Sequence, residues 1–313
     1  MAGEGRPEPS ARLTDSNVIV PFCVVTLIWG STWLVIRDQL GVVPAGWSIT
    51  YRFAIAAAAM FALALARGVP LRLGWRGMAF AACIGLLQFT FNFNLVYRAE
   101  MRLTSGLVAV FYALLPVPNC LLAYLAFRQR ATPGYLAGMA IAVCGVGLLF
   151  LHEYRMAGSA AGAQVAQGLV LCLTALMCAS IANVMQGTQL AHRLPMMAVL
   201  AWAMLFGTLV DAAWTWSVAG PPVIDTRPGY VAGVLYLALA GSVVTFPLYY
   251  RLIQRIGPSR AAYTSVLIPV IAMLLSTVFE GYDWSLLAAG GALLSLIGMV
   301  FAMREKQSAS PSR

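Results

Sequence analysis

Four charged or amide side chains interrupt long apolar runs of this sequence, where such groups are costly and usually serve a purpose. Gln88 and Asn92 are four residues apart, so they would lie on one face of a helix and could hydrogen-bond the polar groups of a solute. Arg52 could bind a carboxylate or a phosphate, because its guanidinium matches both groups with paired hydrogen bonds. Asp211 could bind a proton or balance the charge of Arg52, since both residues are expected at similar depths. These residue types indicate recognition of a small organic molecule.

Aromatic, hydroxyl and amide side chains of further runs extend this candidate set. Aromatic faces can stack on a planar or cationic group while amides orient its polar atoms, which favours an amphipathic solute. The candidate cavity residues are Trp29, Ser31, Arg52, Gln88, Asn92, Tyr112, Asn183, Thr245, Tyr249 and Tyr263. The alternative is that each polar residue only forms hydrogen bonds between helices. Arg52 would then extend to the membrane interface, and Asp211 would cap or line a helix end.

Motifs for other classes of chemistry are missing from the sequence. No G-x-x-x-x-G-K-[ST] loop occurs, so the chain carries no ATPase of its own. The six cysteines have unrelated spacings and are interpreted as small packing residues, and no metal, cofactor or catalytic residue is expected. The arginines are scattered, which argues against nucleic-acid binding. The apolar runs contain no catalytic grouping of His, Cys and Ser residues and no pair of carboxylates. An intramembrane enzyme is therefore disfavoured.

The composition makes lipid the solvent of most of the chain. Hydrophobic residues make up 61% of the sequence and charged residues 10%, against about a quarter charged in soluble domains. Runs of about 20 apolar residues are long enough to cross a bilayer as helices. We predict an all-α integral membrane protein with ten transmembrane helices, at residues 18–36, 45–66, 78–96, 103–127, 133–151, 165–186, 196–217, 229–250, 258–279 and 284–303.

Arginine and lysine residues set the predicted orientation. Most of them lie in links on the side of the N-terminus, and positively charged links stay in the cytoplasm. An even number of spans brings both termini to that side. We therefore expect a multi-pass protein of the inner membrane, with a cytoplasmic polar arm at residues 1–16 and a cytoplasmic tail at 304–313. The net charge of +9 then comes mainly from positive residues that orient the helices in the membrane and contact the anionic headgroups of the lipid bilayer.

The sequence resembles itself at an offset of 153 residues. The stretch YRAEMRLTSGLVAVFYALLPV, which begins at Tyr97, returns at Tyr250 as YRLIQRIGPSRAAYTSVLIPV. Five helices per copy is an odd number, so the second copy would enter the membrane from the opposite side, as in many secondary transporters. We predict two inverted five-helix repeats, residues 17–151 and 165–303, joined by a link at 152–164.

Prolines and small residues recur in both copies. Pro116 and Pro269 align, and we interpret them as hinges of a rocking motion, the alternative being kinks that membrane helices tolerate. Small residues on the fifth and tenth helices indicate close helix packing, either within the molecule or between the protomers of a homodimer. These small residues are Gly138, Ala142, Gly145, Gly291, Ser295 and Gly298.

An ordered set of short motifs, together with the predicted arrangement of ten helices in two repeats of five, resembles the EamA-type branch of the drug/metabolite transporter superfamily. The set is IWGST in the first span, Pro44, YRF at residues 51–53 and TSGLVAVFYALLPV in the fourth span. The resemblance covers nearly the whole chain and implies a carrier of amino acids, metabolites, vitamins or drugs, often an exporter. One departure is Arg128 at the end of the fourth span, where the family frequently has a glutamate. The ninth span keeps Glu280, which together with Asp283 is expected to be solvated.

These observations predict a secondary transporter that moves a small organic metabolite or drug-like solute across the inner membrane by alternating access. The resemblance favours export. Proton coupling through Asp211, exchange and facilitated transport all stay open. The alternative is a non-transporting membrane scaffold or sensor, which would tolerate apolar replacements at Gln88, Asn92 and Asn183.

Overall fold

A computed structural model describes residues 16–262 and 264–304, and the regular structure in these ranges is helical. The α-helices are α1 Ser16–Asp38, α2 Ala45–Ala66, α3 Gly74–Ile84, α4 Phe93–Glu100, α5 Ser105–Tyr112, α6 Pro116–Phe127, α7 Pro133–Gln186, α8 Gln189–Arg193, α9 Met196–Ala219, α10 Pro228–Ala238, α11 Thr245–Ile256, α12 Pro258–Ala261, α13 Thr264–Phe279 and α14 Leu286–Arg304. Two π-helical segments are π1 Gly85–Asn92 and π2 Leu239–Val244. Nearly all of the predicted arm and tail lies outside the described residues.

Within residues 16–262 and 264–304, eight helical stretches are long and apolar enough to cross a membrane. They are Ser16–Asp38, Ala45–Ala66, Gly74–Glu100, Ser105–Phe127, Pro133–Met156, Gly162–Gln186, Met196–Ala219 and Pro228–Ile256. Two shorter apolar helices, Leu267–Phe279 and Leu286–Ala302, follow them. The chain is therefore a multi-pass membrane protein.

The helix α7 carries two of these stretches and folds back on itself. Its 54 residues would place Tyr135 and Ser180 about 68 Å apart if the helix were straight. Both residues instead contact the first turn of α6, where the Tyr135 hydroxyl reaches the carbonyl oxygen of Pro116 at 3.5 Å and Ser180 Oγ donates to Asn119 Oδ1 at 2.5 Å. The chain thus reverses within the predicted link at 152–164, which is helical rather than irregular.

The two π-helical segments occupy corresponding places in the third and eighth spans. Shifting π1 by 153 residues brings it onto π2 within one residue at each end. Each π turn inserts one extra residue into the helix and so changes which side chains face a neighbour. At the start of π1, the span approaches α9 so closely that a Cβ on Gly85 would lie 2.6 Å from the carbonyl oxygen of Ala203. Only glycine fits at this crossing.

The paired prolines have different surroundings. The helix is interrupted between Tyr112, the last residue of α5, and Pro116, the first residue of α6. Proline has no backbone N–H, so Pro116 cannot donate the helical hydrogen bond to the carbonyl oxygen of Tyr112. Pro269 lies inside α13, which continues through it. The fourth span is therefore broken at its proline, whereas α13 is not.

Equivalent spans of the two sequence copies pack against each other, α2 against α9 and the first half of α7 against α14. The second contact uses the predicted small residues. A Cβ on Gly138 would lie 2.5 Å from the backbone nitrogen of Ala302, and a Cβ on Gly291 would lie 2.7 Å from the carbonyl oxygen of Gly145. The stripe of small residues is thus buried within one molecule.

Candidate functional site

A cavity of about 90 Å³ lies between α1, α2, π1, α4, α5, the second half of α7, α11 and α13. Seven predicted site residues line it: Trp29, Arg52, Gln88, Asn92, Tyr112, Asn183 and Tyr249. The other lining residues are Thr32, Trp33, Ile36, Phe93, Val96, Leu115, Ala179, Phe246, Thr264, Ser265 and Ile268. The wall is mainly apolar and carries one cationic side chain, Arg52, which suits a small solute with a localised polar group.

Arg52 lies in the protein interior with its head group at the cavity. The residue is 1% exposed, and its guanidinium donates from Nε to Ser242 Oγ at 3.2 Å and from Nη2 to the Gly241 carbonyl oxygen at 3.4 Å. Its central carbon lies 4.4 Å from the ring centre of Phe93 and 5.1 Å from that of Phe53. These contacts are incompatible with an arginine that extends to the membrane interface.

One nitrogen of Arg52, Nη1, is buried and has no hydrogen-bond partner in the described part of the chain. The hydroxyl oxygen of Tyr97 lies next to the guanidinium and interacts favourably with it, while the hydroxyl proton is donated to Gln39 Oε1 at 3.1 Å. The ion pairs found in the described ranges are Arg37–Glu280 and Arg227–Asp225, so no carboxylate there lies within ion-pair distance of Arg52, although Glu100 attracts it from farther away.

Asp211 is also fully buried, but it lies outside the cavity wall. Its Oδ1 accepts a hydrogen bond from Asn94 Nδ2 at 2.7 Å, while its Oδ2 has no partner in the described structure. The two charges that the sequence placed at one depth are therefore not an ion pair. Asp211 does not balance the charge of Arg52 through an ion pair in the described residues, and its binding of a proton stays a prediction.

The amide residues form pairs with tyrosines across the cavity. Tyr112 donates its hydroxyl proton to Asn92 Oδ1, and Asn92 Nδ2 bonds the carbonyl oxygen of Gln88 at 3.4 Å. On another wall, Asn183 Nδ2 donates to the hydroxyl of Tyr249 at 3.4 Å. These pairs hold the polar atoms at fixed points of an otherwise apolar lining.

Aromatic rings complete the wall. Trp29 makes edge-to-face contacts with Phe246 and Tyr249, with ring centres 5.4 and 4.9 Å apart. The ring of Trp33 lies 5.0 Å from that of Tyr112. Such rings supply faces for stacking and for cation–π contacts with an ammonium group.

Two of the predicted site residues that the structure describes are not part of this lining. Ser31 Oγ bonds the hydroxyl of Tyr236 at 2.6 Å, and Thr245 Oγ1 donates to the carbonyl oxygen of Gly241 at 2.8 Å. Both side chains serve contacts between or within helices, which is the alternative that the sequence left open. Tyr263 lies outside the described residues.

A charged cluster at one end of the molecule was missed. Arg37 donates to the backbone carbonyl oxygen of Glu100, and its Nε lies 3.7 Å from Glu280 Oε1. Ser105 Oγ donates to Glu280 Oε2 at 2.5 Å. We call Arg37, Glu100, Ser105 and Glu280 the Arg37 cluster. The expectation that Glu280 is solvated was wrong, since its side chain is 11% exposed and makes these contacts.

Glu100 could have been suspected from spacing alone. Glu100 lies eight residues after Asn92 and twelve residues after Gln88. Both separations are multiples of four, so the three residues lie along the i, i+4 line of side chains of the span. Its position at the end of an apolar run made it look like a solvated link residue.

Comparisons with known proteins agree with this architecture. The uncharacterized inner membrane transporter YedA of Escherichia coli is 28% identical over 82% of this chain and 80% of its own length. The probable amino-acid metabolite efflux pump of Salmonella typhimurium is 25% identical over 92% of this chain and 96% of its own. A crystal structure with 20% identity shares the fold, with a TM-score of 0.68 over 91% of this chain and 96% of that one.

The model of the EamA-like transporter family matches residues 17–151 and again 166–304, so two family units cover nearly the whole chain. The scaffold alternative is not favoured, because the family and the named relatives are transporters. The chain belongs to the EamA-like transporter family and is a membrane transporter of small metabolites.

Proposed function

We propose that this protein is an alternating-access secondary transporter that exports a small solute bearing a carboxylate or a phosphate. The observation that carries the proposal is Arg52, a fully buried cation on the cavity wall whose Nη1 has no partner in the described ranges. A buried charge without an anion is costly, and a bound carboxylate would supply both the missing charge and a hydrogen-bond acceptor.

The proposed architecture is ten transmembrane helices in two inverted five-helix repeats. The coincidence of π1 and π2 at the offset of 153 residues supports it, as does the packing of α2 against α9 and of α7 against α14. The two shorter apolar helices fall in the segments predicted for the last two spans. The arginine distribution supports cytoplasmic termini, and the relative YedA is named an inner membrane transporter.

The rest of the cavity favours an α-amino acid or a similar metabolite as the solute. Its carboxylate would bind Arg52, its ammonium group would face the rings of Trp29 or Trp33, and its polar atoms would meet the Asn92 amide. The relative named as a probable efflux pump for amino-acid metabolites supports this class and the export direction. A cavity of about 90 Å³ holds only a small solute in this conformation.

Alternating access requires two ends that open in turn. In the described conformation the Arg37 cluster ties together the ends of α1 and α4, the start of α5 and the link after α13, which is the external end in the proposed orientation. Pro116, at the break between α5 and α6, and Pro269, in α13, are the proposed hinges. Asp211 stays a candidate for ion coupling, because one of its oxygens is buried without a partner in the described residues.

A thermal-shift comparison of matched ligands tests the role of Arg52. L-phenylalanine and phenethylamine differ by the carboxylate, and ligand binding to the folded state raises its apparent stability. We expect L-phenylalanine to raise the apparent melting temperature of the wild type, with a smaller shift for Arg52→Lys and none for Arg52→Gln. The exposed Arg72→Gln is the matched control and should behave like the wild type. Equal shifts with both ligands, or an unchanged shift in Arg52→Gln, would contradict the proposal.

A further inference from the structure

The last residue of α4, Glu100, is a buried acid that the proposed solute site does not use. Its side chain is 0% exposed, and neither Oε1 nor Oε2 has a hydrogen-bond partner in the described part of the chain. The neighbouring Arg37 guanidinium is close, but it donates to the backbone carbonyl oxygen of Glu100 and forms an ion pair with Glu280 at 3.7 Å. The carboxyl group of Glu100 is therefore left without a donor.

The charges that act on Glu100 come from three elements packed around it. Glu280 repels a negative charge there, whereas Arg37 and Arg52 attract one. Arg52 donates from Nε to Ser242 and from Nη2 to the Gly241 carbonyl, and neither carboxyl oxygen of Glu100 accepts a hydrogen bond from its remaining nitrogen. The other titratable groups that sense this charge are Tyr97, Tyr112 and Cys172. All three are neutral acids in their ordinary form and supply no positive charge.

A carboxylate in this position would be a buried anion with no hydrogen bond, which is less favourable than the neutral acid. The uncharged form loses less on burial, because only the polar group and not a net charge is removed from water. The described conformation, with the Arg37 cluster closed, therefore favours a proton on Glu100. When the cluster opens, water reaches the carboxyl group and the proton can exchange.

The cavity gives this carboxyl group a second route to water. Val96, one turn before Glu100 in the same span, lines the cavity, and Gln88 and Asn92 continue the row. Water that enters the cavity from the cytoplasmic side would thus come within one helical turn of Glu100. The residue lies between the two routes that an alternating-access protein opens in turn.

We infer that Glu100 is the proton-binding site of the transport cycle, an inference that rests on the proposed alternating access. One proton from external water binds a carboxylate oxygen when the Arg37 cluster is open, and the external end closes over the neutral acid. The proton leaves to the cytoplasm through the cavity when that side opens. One proton therefore moves inward as the solute moves outward.

Infrared spectroscopy of the protein in lipid tests the site without any solute. The wild type should have a carboxylic-acid carbonyl band at neutral pH, and Glu100→Gln should lose that component. Asp283→Asn is the matched control, an exposed acid near the same end, and should keep it. Asp211→Asn identifies any component due to the other buried acid. A band unchanged in Glu100→Gln, or no such band in the wild type, would overturn the inference.

Proteoliposomes with labelled L-phenylalanine then separate coupling from transport. Glu100→Gln should lose accumulation driven by a pH gradient, down to the level of protein-free liposomes, and should keep solute exchange without a gradient. Should the glutamine variant fold poorly, Glu100→Leu serves, because the carboxyl group has no hydrogen bond to lose in the described structure. Gradient-driven accumulation by either variant at the wild-type level would overturn the proton site. Absence of exchange in the wild type would instead contradict the proposed solute.

Discussion

The two ends of the molecule are built from corresponding residues but are closed by different chemistry. At the external end of the proposed orientation, Glu280 in the link after α13 contacts Arg37 at the end of α1. The offset of 153 residues makes Phe127 the counterpart of Glu280. The alignment of Ser31 with Ser180 makes the buried, uncharged Gln186 the counterpart of Arg37, and Gly187 the counterpart of Asp38. A Cβ on Gly187 would lie 3.2 Å from Phe127 Cε2, so the ring lies directly on this glycine.

The same contrast holds at the adjoining positions. Glu100 corresponds to Ile253, and Ser105 corresponds to Pro258. Both Glu100 and Ile253 are buried, but one can carry a charge and the other cannot. The comparison teaches that a repeated scaffold can be made directional by a few polar substitutions at one end. Closure of the external end should respond to pH and salt, while closure of the cytoplasmic end should not.

The largest effect is expected at the cytoplasmic end, from Asn119→Ala. Asn119 is fully buried, accepts from Ser180 Oγ and donates to the Pro258 carbonyl oxygen at 3.2 Å. Its loss leaves both partners unsatisfied and should lower the free energy of unfolding by about 2 kcal/mol. Thermal unfolding in detergent measures this effect, with the lipid-facing Thr174→Ala as the control that should change little. An effect no larger than that of the control would show that this end does not depend on the Asn119 hydrogen bonds.

A smaller loss is expected at the external end from Glu280→Ala. The substitution removes a charge-assisted hydrogen bond from Ser105 and a partly exposed ion pair with Arg37, which together should contribute about 1.5 kcal/mol. Thermal unfolding of this variant and of Asp283→Asn measures it. Equal stabilities of the two variants would mean that Glu280 is not a closing contact.

Salt should distinguish the two ends. The side chain of Arg37 is 43% exposed, so its pair with Glu280 is screened and contributes at most about 1 kcal/mol. The destabilisation by Arg37→Ala should shrink as the salt concentration rises, whereas the effect of Phe127→Ala should not. Unfolding curves at low and high salt test this, and a salt-independent effect of Arg37→Ala would remove the proposed contrast.

The smallest effect is expected in the exposed link between α9 and α10. The backbone N–H of Arg227, together with its guanidinium, holds the pKa of Asp225 below its usual value. A lowered folded-state pKa stabilises the protein above the unfolded-state pKa, and this contribution is lost as the pH falls through the folded-state value. Asp225→Asn should therefore lower the melting temperature slightly at neutral pH and not at strongly acidic pH. A difference that persists unchanged in acid would contradict this.

Much of the site was predictable from the sequence because polar residues in apolar runs rarely face lipid. Arg52, Gln88, Asn92 and Asn183 all line the cavity, as that argument expects. The spacing of Gln88 and Asn92 was interpreted for an α-helix, but both lie in π1. A π turn has no characteristic periodicity in the sequence. In the structure π1 begins at Gly85, where the span packs closely against α9.

What the sequence could not predict depends on pairing across distant segments. Ser31 and Thr245 have the same residue types as cavity residues, but their hydroxyls are used by Tyr236 and the Gly241 carbonyl. Glu280 looked like a solvated link residue because its partner Ser105 is 175 positions away. Glu100 was missed for the same reason, since its burial depends on α1, α2 and the link after α13.

Flux of labelled L-phenylalanine in proteoliposomes tests the central claim most directly, which is that Arg52 binds the carboxylate of the transported solute. The wild type and Arg72→Gln should take up the label in exchange for unlabelled L-phenylalanine. Arg52→Gln should be reconstituted at the same density, and its unfolding curve should show that it is folded. Its uptake of the label should not exceed that of protein-free liposomes. Uptake by Arg52→Gln equal to that of the wild type, or no uptake by the wild type, would contradict the claim.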